Sequence, residues 1–166
     1  MINNRIAIIM GLLLSCPLIV NAQQDRVVFT DVTGEAGIDF LYTFGDRSYE
    51  NILESSGSGV TVFDYDNDGH MDLYLLSGTY LEGISDPEGK AFKGAVNRLY
   101  RNRGDGTFDD VSAGSGLDDA SWGMAAAPVD GDNDGYQDLY LLNYGANAFF
   151  KTIEPFRSCQ PEFLSL

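Results

Sequence analysis

The sequence is poor in the side chains that most enzymes use for covalent and acid–base work. It has one histidine, His70. A Ser-His-Asp triad would need that imidazole free, and His70 lies within an aspartate cluster, so triad hydrolysis is not expected. It has two cysteines, Cys16 and Cys159. Cys16 falls in an apolar N-terminal segment, so removal of that segment leaves Cys159 alone and excludes an internal disulfide. With no second histidine to activate it, Cys159 reads as an inert thiol. Positive charge is also scarce, with 10 Lys and Arg against 25 Asp and Glu and a net charge of −15. Without a Lys/Arg cluster, such a chain is a poor nucleic-acid binder and is repelled by anionic membranes. No lysine follows Gly57-Ser58-Gly59, so these glycines indicate close strand packing rather than a phosphate loop. Glu82, Asp86 and Glu88 supply acids for a glycosidase-type pair, but a solvated polar loop is the simpler reading. No enzymatic activity is therefore expected.

Order, by contrast, is well supported. Hydrophobic residues make up 44% of the 166 positions and aromatics 12%, too much for a disordered chain. Residues 1–22 read as a signal peptide. Arg5 is the charge of a short n-region, residues 6–14 are apolar, and Val20-Asn21-Ala22 precedes a cut at Gln23. The apolar run is interrupted by Ser15, Cys16 and Pro17 and is too short to span a bilayer. Leu13-Leu14-Ser15-Cys16 also suggests lipoprotein processing at Cys16, against which Leu14 and Pro17 argue. The expected location is secreted, periplasmic or cell-surface, without membrane insertion after cleavage.

What the chain has in abundance is aspartate, at a fixed spacing. Asp64-Tyr65-Asp66-Asn67-Asp68-Gly69-His70-Met71-Asp72 is followed by Leu73-Tyr74-Leu75-Leu76. Asp130-Gly131-Asp132-Asn133-Asp134-Gly135-Tyr136-Gln137-Asp138 is followed by Leu139-Tyr140-Leu141-Leu142. Aspartates recur at loop positions 1, 3, 5 and 9, with glycine at position 6. Carboxylates this close repel one another unless a cation joins them, and oxygen-rich loops with a tight-turn glycine suit Ca²⁺. Turn propensity alone explains Asp, Asn and Gly but not a spacing held twice.

The match extends outward. Phe29-Thr30-Asp31-Val32-Thr33 aligns with Phe108-Asp109-Asp110-Val111-Ser112, and Asn97-Arg98-Leu99-Tyr100-Arg101-Asn102 with Asn147-Ala148-Phe149-Phe150-Lys151-Thr152. Residues 60–63, 73–76, 99–102 and 107–111 read as short strands. Arg103-Gly104-Asp105-Gly106 reads as a hairpin turn between the last two. Residues 23–150 thus form two β units, and residues 151–166 a tail in which the repeat is left incomplete.

An EF-hand needs a bidentate glutamate at position 12 and flanking helices. Position 12 is Leu75 or Leu141 and the flanks read as strands, so that reading fails. A nine-residue loop fits better. Asp64, Asp66, Asp68 and Asp72, with the backbone carbonyl of His70, are the expected ligands of one site. Asp130, Asp132, Asp134 and Asp138, with the carbonyl of Tyr136, are those of the other. Gly69 and Gly135 allow the sharp turn.

These motifs resemble the FG-GAP/VCBS repeat of integrin-α-type β-propellers, and more narrowly the cartilage-acidic-protein-like (ASPIC/UnbV-associated) group. Glu54-Ser55-Ser56-Gly57, Asp72-Leu73-Tyr74 and Gly104-Asp105-Gly106-Thr107-Phe108 carry the resemblance, and Trp122-Gly123 stands at the name-giving Phe-Gly position. It implies an all-β fold, a partial β-propeller of about two incomplete blades with two structural Ca²⁺ sites in hairpin loops. It also implies extracellular binding or adhesion, to a protein or polysaccharide that the sequence does not name. Such propellers close with about seven blades. Two units predict a truncated N-terminal portion whose open sheet edges self-associate. The alternative readings are a non-catalytic fragment of a larger extracellular enzyme, or an inactive truncated product. Tyr42, Tyr49, Tyr80 and Phe92 lie in stretches inserted into the first unit and suit stacking on a partner or burial in a core.

Overall fold

Among the described residues, the strand-forming runs assemble into two antiparallel sheets of four strands each. The computed structural model describes residues 26–45, 52–55, 58–153 and 158–162. The expected signal peptide, Cys16 and Tyr49 lie outside the described residues, and the side chain of Cys159 is likewise not described. The chain divides into two units, Met1–Asp31 and Val32–Leu166. Residues 26–31 of the first form neither strand nor helix. Everything below concerns the second.

The first sheet is a meander of β1 (Gly59–Phe63), β2 (Asp72–Leu76), β3 (Arg98–Asn102) and β4 (Phe108–Asp110). The second is a meander of β5 (Trp122–Val129), β6 (Asp138–Tyr144), β7 (Ala148–Ile153) and β8 (Ser158–Glu162). All four strands expected in the first unit are present. Each aspartate loop joins the first two strands of its sheet. The Arg103–Gly106 turn closes β3 on β4, with the Arg103 N–H donating to Thr107 O at 2.9 Å. Phe108-Asp109-Asp110 forms β4, whereas its aligned counterpart at 29–33 forms no strand. Past Thr152 the sequence no longer repeats, yet the backbone still provides β8, which pairs with β7 from Phe149↔Glu162 to Ile153↔Ser158. The second sheet is thus as wide as the first.

The aligned asparagines have one job. The Ser77 N–H donates to Asn97 Oδ1 at 2.8 Å, and the Asn143 N–H donates to Asn147 Oδ1 at 3.0 Å. Each thereby satisfies a main-chain donor near the end of a second strand, where the ladder stops.

Burial separates two architectures that the repeat leaves open. β2 and β6 both begin Asp-Leu-Tyr-Leu-Leu. In β2 the buried apolar residues are Tyr74 and Leu76, whereas in β6 they are Leu139 and Leu141. Side chains alternate across a strand, so opposite faces of equivalent strands are buried. Both sets belong to one core with Phe63, Leu99, Leu117 and Phe150. The front of one sheet therefore packs on the back of the next, which is the relation of successive blades. A sandwich made of the same two units about a two-fold axis would bury equivalent faces. β1 and β5 meet along this seam, where Thr61 Oγ1 donates to Ala126 O at 2.8 Å.

The seam explains two of the glycines. A Cβ on Gly123 would lie 3.1 Å from Asn97 Oδ1 and 3.2 Å from Leu76 Cβ. A Cβ on Gly59 would lie 2.9 Å from Leu76 Cδ1 and 3.2 Å from Met124 O. Close packing, expected for Gly57-Ser58-Gly59, is thus observed at Gly59. Trp122, just before Gly123, is almost fully buried.

Tyr100 on β3 is buried, and its hydroxyl donates to Asp39 Oδ1 at 2.7 Å. Burial, followed by the bond to Asp39, pushes the phenol up from 10.0 to about 12. A raised folded value favours the neutral form. Its contribution to stability is fully present below pH 10 and is lost as pH rises through 12. Ultraviolet titration is expected to show a phenol ionising near pH 12 that disappears in Tyr100→Phe. Identical curves for the two proteins would refute the assignment.

Candidate metal centre

The two aspartate loops adopt one conformation. Asn67 and Asn133 at position 4 have φ of 56° and 61°, and Gly69 and Gly135 at position 6 have φ of 89° and 90°. Asparagine is among the few non-glycine residues that enter the left-handed region readily. This role of Asn67 and Asn133 was available in the sequence, in their identical placement.

The first aspartate of each loop organises the turn. The Asp68 and Gly69 N–H groups donate to the two oxygens of Asp64 at 3.0 and 2.9 Å. The Asp134 and Gly135 N–H groups donate to Asp130, both at 3.1 Å. The fifth does the same on a smaller scale, since the His70 and Tyr136 N–H groups donate to Asp68 and Asp134 at 2.9 Å. The His70 ring itself lies against the β3–β4 turn, where a Cβ on Gly104 would come within 2.7 Å of it.

The ninth aspartate is a clasp. Asp72 Oδ2 accepts from the Tyr65 N–H at 2.9 Å and Oδ1 from the Asn102 N–H at 2.7 Å. Asp138 Oδ2 accepts from the Gly131 N–H at 3.1 Å and Oδ1 from the Thr152 N–H at 2.9 Å. The same third-strand residues also bind the carbonyl at position 8. Asn102 Nδ2 donates to Met71 O at 2.9 Å, and Thr152 Oγ1 donates to Gln137 O at 2.7 Å. Sequence reasoning missed Asn102 and Thr152 as parts of the loop. Their aligned positions carried the signal, but only the strand pairing shows where they reach.

The carboxylates converge differently in the two copies. In the first loop, oxygens of Asp64, Asp66 and Asp72 all lie within 4.8 Å of one another, and in the second those of Asp130, Asp132 and Asp134 do. Asp68 and Asp138 stand outside these groups and make the hydrogen bonds just described. Asp66 is 5% exposed and Asp72 is fully buried, whereas the second group is exposed. Burial, more than any other cause, raises the Asp72 carboxyl, and the nearby Asp66 and Asp68 charges add to it against the two backbone N–H bonds. A carboxyl raised in the folded state contributes stability below 3.8 that is lost as pH rises through its folded value. Near neutral pH the first loop thus holds negative charge at a cost. A bound cation would offset it.

The donor set fits a hard divalent cation. All the converging side chains are carboxylates, without nitrogen or sulfur ligands, and the loops carry glycines where the chain must turn. Strands flank both loops, as expected, so neither is an EF-hand. The other candidate acids do not form such a group. Asp86 caps the short 3₁₀ helix Pro87–Phe92, accepting from the Glu88 and Gly89 N–H groups at 2.9 Å. Tyr42, Tyr80 and Phe92 are half-buried.

Residues 85–151 match the family profile of the FG-GAP-like repeat. The match runs from the loop before β3, through the second aspartate loop, into β7. That stretch is similar to an FG-GAP-like repeat, and among the described residues it lies within an all-β fold of two antiparallel sheets. The first aspartate loop lies outside the matched span and shares its backbone and hydrogen bonds with the second. No curated protein matches the chain significantly.

Proposed function

We propose that the chain is an exported, calcium-binding module of β-propeller type, used for extracellular binding or adhesion. The observation that carries this reading is the duplicated loop. Two hairpins in successive sheets hold three converging carboxylates each, at the same left-handed asparagine and glycine. Asp64, Asp66 and Asp72 would hold one ion and Asp130, Asp132 and Asp134 the other, with Asp68, Asp138 and the carbonyls of His70 and Tyr136 as the remaining oxygens. The calcium is structural, because each loop ties the first strand of its sheet to the second and, through the ninth aspartate, to the third. Among FG-GAP repeat proteins, the Phe-x-Asp-Val and Asp-Leu-Tyr elements favour the cartilage-acidic-protein-like group. The signal-like segment at 1–22 supports export.

Binding to a partner falls to the inserted stretch at residues 78–96, where Tyr80 and Phe92 are half-buried and the acids Glu82 and Glu88 are exposed. The front of the second sheet, equivalent to the face by which the first sheet packs, presents Leu142 and Tyr144 at 40% and 45% exposure. A further blade, or a second copy, would stack there. Calorimetric titration is expected to count two Ca²⁺ per chain, and Asp66→Ala to leave one. A count of zero would remove the calcium reading. A count of two in Asp66→Ala would show that the ligands are wrongly chosen.

A further inference from the structure

In the second loop a cation supplied by the chain itself already sits on one of the converging carboxylates. Lys151 Nζ lies 2.5 Å from Asp132 Oδ2. Asp132 is one of the three carboxylates that group there. Lys151 lies on β7 at the position that Arg101 occupies on β3. Arg101 stands opposite Asp109 across the β3–β4 ladder and bonds to it at 3.3 Å. Lys151 stands opposite Gln160 across the β7–β8 ladder. The second sheet has Gln160 where the first has Asp109, and the Lys151 ammonium reaches Asp132 of the loop. Both partners are only about a third exposed, at 36% and 37%, so solvent screens the pair only in part.

We propose that Lys151 is a built-in competitor for the second cation site: a divalent ion joins Asp130, Asp132 and Asp134 only by displacing the ammonium from Asp132. The inference rests on the calcium reading of the loops. Its consequence is that two loops of one sequence pattern bind with different strengths. In the first, the equivalent cationic side chain is held on β4. In the second, the displaced ammonium stays tethered beside the ion and continues to repel it. The first loop then fills at low calcium and the second only as calcium rises. One blade is held constitutively and its neighbour tightens with the extracellular concentration.

Calorimetric titration of the full chain with Ca²⁺ tests this, comparing wild type, Lys151→Met and Lys151→Arg. Wild type is expected to show two unequal sites. Lys151→Met keeps the aliphatic stem and removes the charge. It should tighten the weaker site by about threefold to tenfold, the scale of a partly exposed ion pair plus repulsion by the tethered charge, and leave the stronger site unchanged. Lys151→Arg retains the charge and should keep the wild-type inequality. Adding Asp134→Asn to Lys151→Met should abolish the site that was tightened, which assigns it to the second loop. Two sites with affinities that Lys151→Met does not alter would overturn the competition and leave the calcium reading standing. Tightening of both sites equally would also overturn it, since that is a general charge effect. If neither wild type nor Lys151→Met takes up calcium, both readings fall together.

Discussion

Millimolar calcium is expected to raise the melting temperature of the chain, and EDTA to return it to the starting value. A ligand that binds only the folded state at a hundredfold excess over its Kd stabilises by about 2.7 kcal/mol. For a domain of this size each kcal/mol moves the midpoint by about 2–4 °C. A well-saturated site is therefore worth about 5–10 °C. Asp66→Ala should forfeit the shift belonging to the first loop and retain the rest. Mg²⁺ should give a much smaller shift at the same concentration, because it surrenders its waters reluctantly to a cage of protein oxygens. The physical basis is the burial of Asp66 and Asp72. Charge that is costly in the free chain becomes favourable once a cation shares it. Melting that is indifferent to millimolar calcium would end the reading of both loops as metal sites.

The second large effect does not depend on metal. Asp72→Ala should destabilise the chain by about 2–5 kcal/mol in EDTA, measured by urea unfolding. The substitution removes the acceptor of two backbone donors, the Tyr65 N–H at 2.9 Å and the Asn102 N–H at 2.7 Å. Leaving a buried donor unsatisfied costs about 1–3 kcal/mol, and here there are two. Asp72→Asn should recover part of the loss, since its carbonyl oxygen can accept one bond while its NH₂ group opposes the other donor. Asp138→Ala should behave alike, through the Gly131 and Thr152 N–H groups. The contrast with Asp66→Ala separates two kinds of aspartate in one loop. If calcium binds as proposed, Asp66→Ala should cost mainly the stability that the ion adds, whereas Asp72 ties the loop and β3 to β2 with or without it. A cost below about 1 kcal/mol for Asp72→Ala in EDTA would show that these bonds are not needed, given the penalty expected for buried unpaired donors.

The sequence by itself determined the local structure. Alternating β-branched and aromatic runs between glycine-rich turns specify short strands. The aspartate spacing, held twice, specifies two loops of one shape. The leucines at position 12 exclude the helix-flanked calcium loop, because no acid stands where that geometry requires one. Each of these follows from contacts within a few residues, so each can be read from a single stretch. Trp122-Gly123 was recognisable as a motif, but its reason, the approach of Asn97 and Leu76 to the glycine, was not.

Only the tertiary structure decided what depends on distant pairing. Asp-Leu-Tyr-Leu-Leu occurs in β2 and β6 with the same alternation, and nothing in five identical residues tells which face will be buried. The packing buries Tyr74 and Leu76 in one copy and Leu139 and Leu141 in the other, because one sheet lies in front of its neighbour and the other behind. The fourth strand of the second sheet was invisible for a similar reason. Strand formation at Ser158–Glu162 comes from the free edge of β7 and needs no repeat of Gly-Asp-Gly-Thr-Phe. The surroundings of Lys151 follow in turn: strand pairing sets Gln160 opposite it, as it sets Asp109 opposite Arg101, and the lysine reaches Asp132 in the loop.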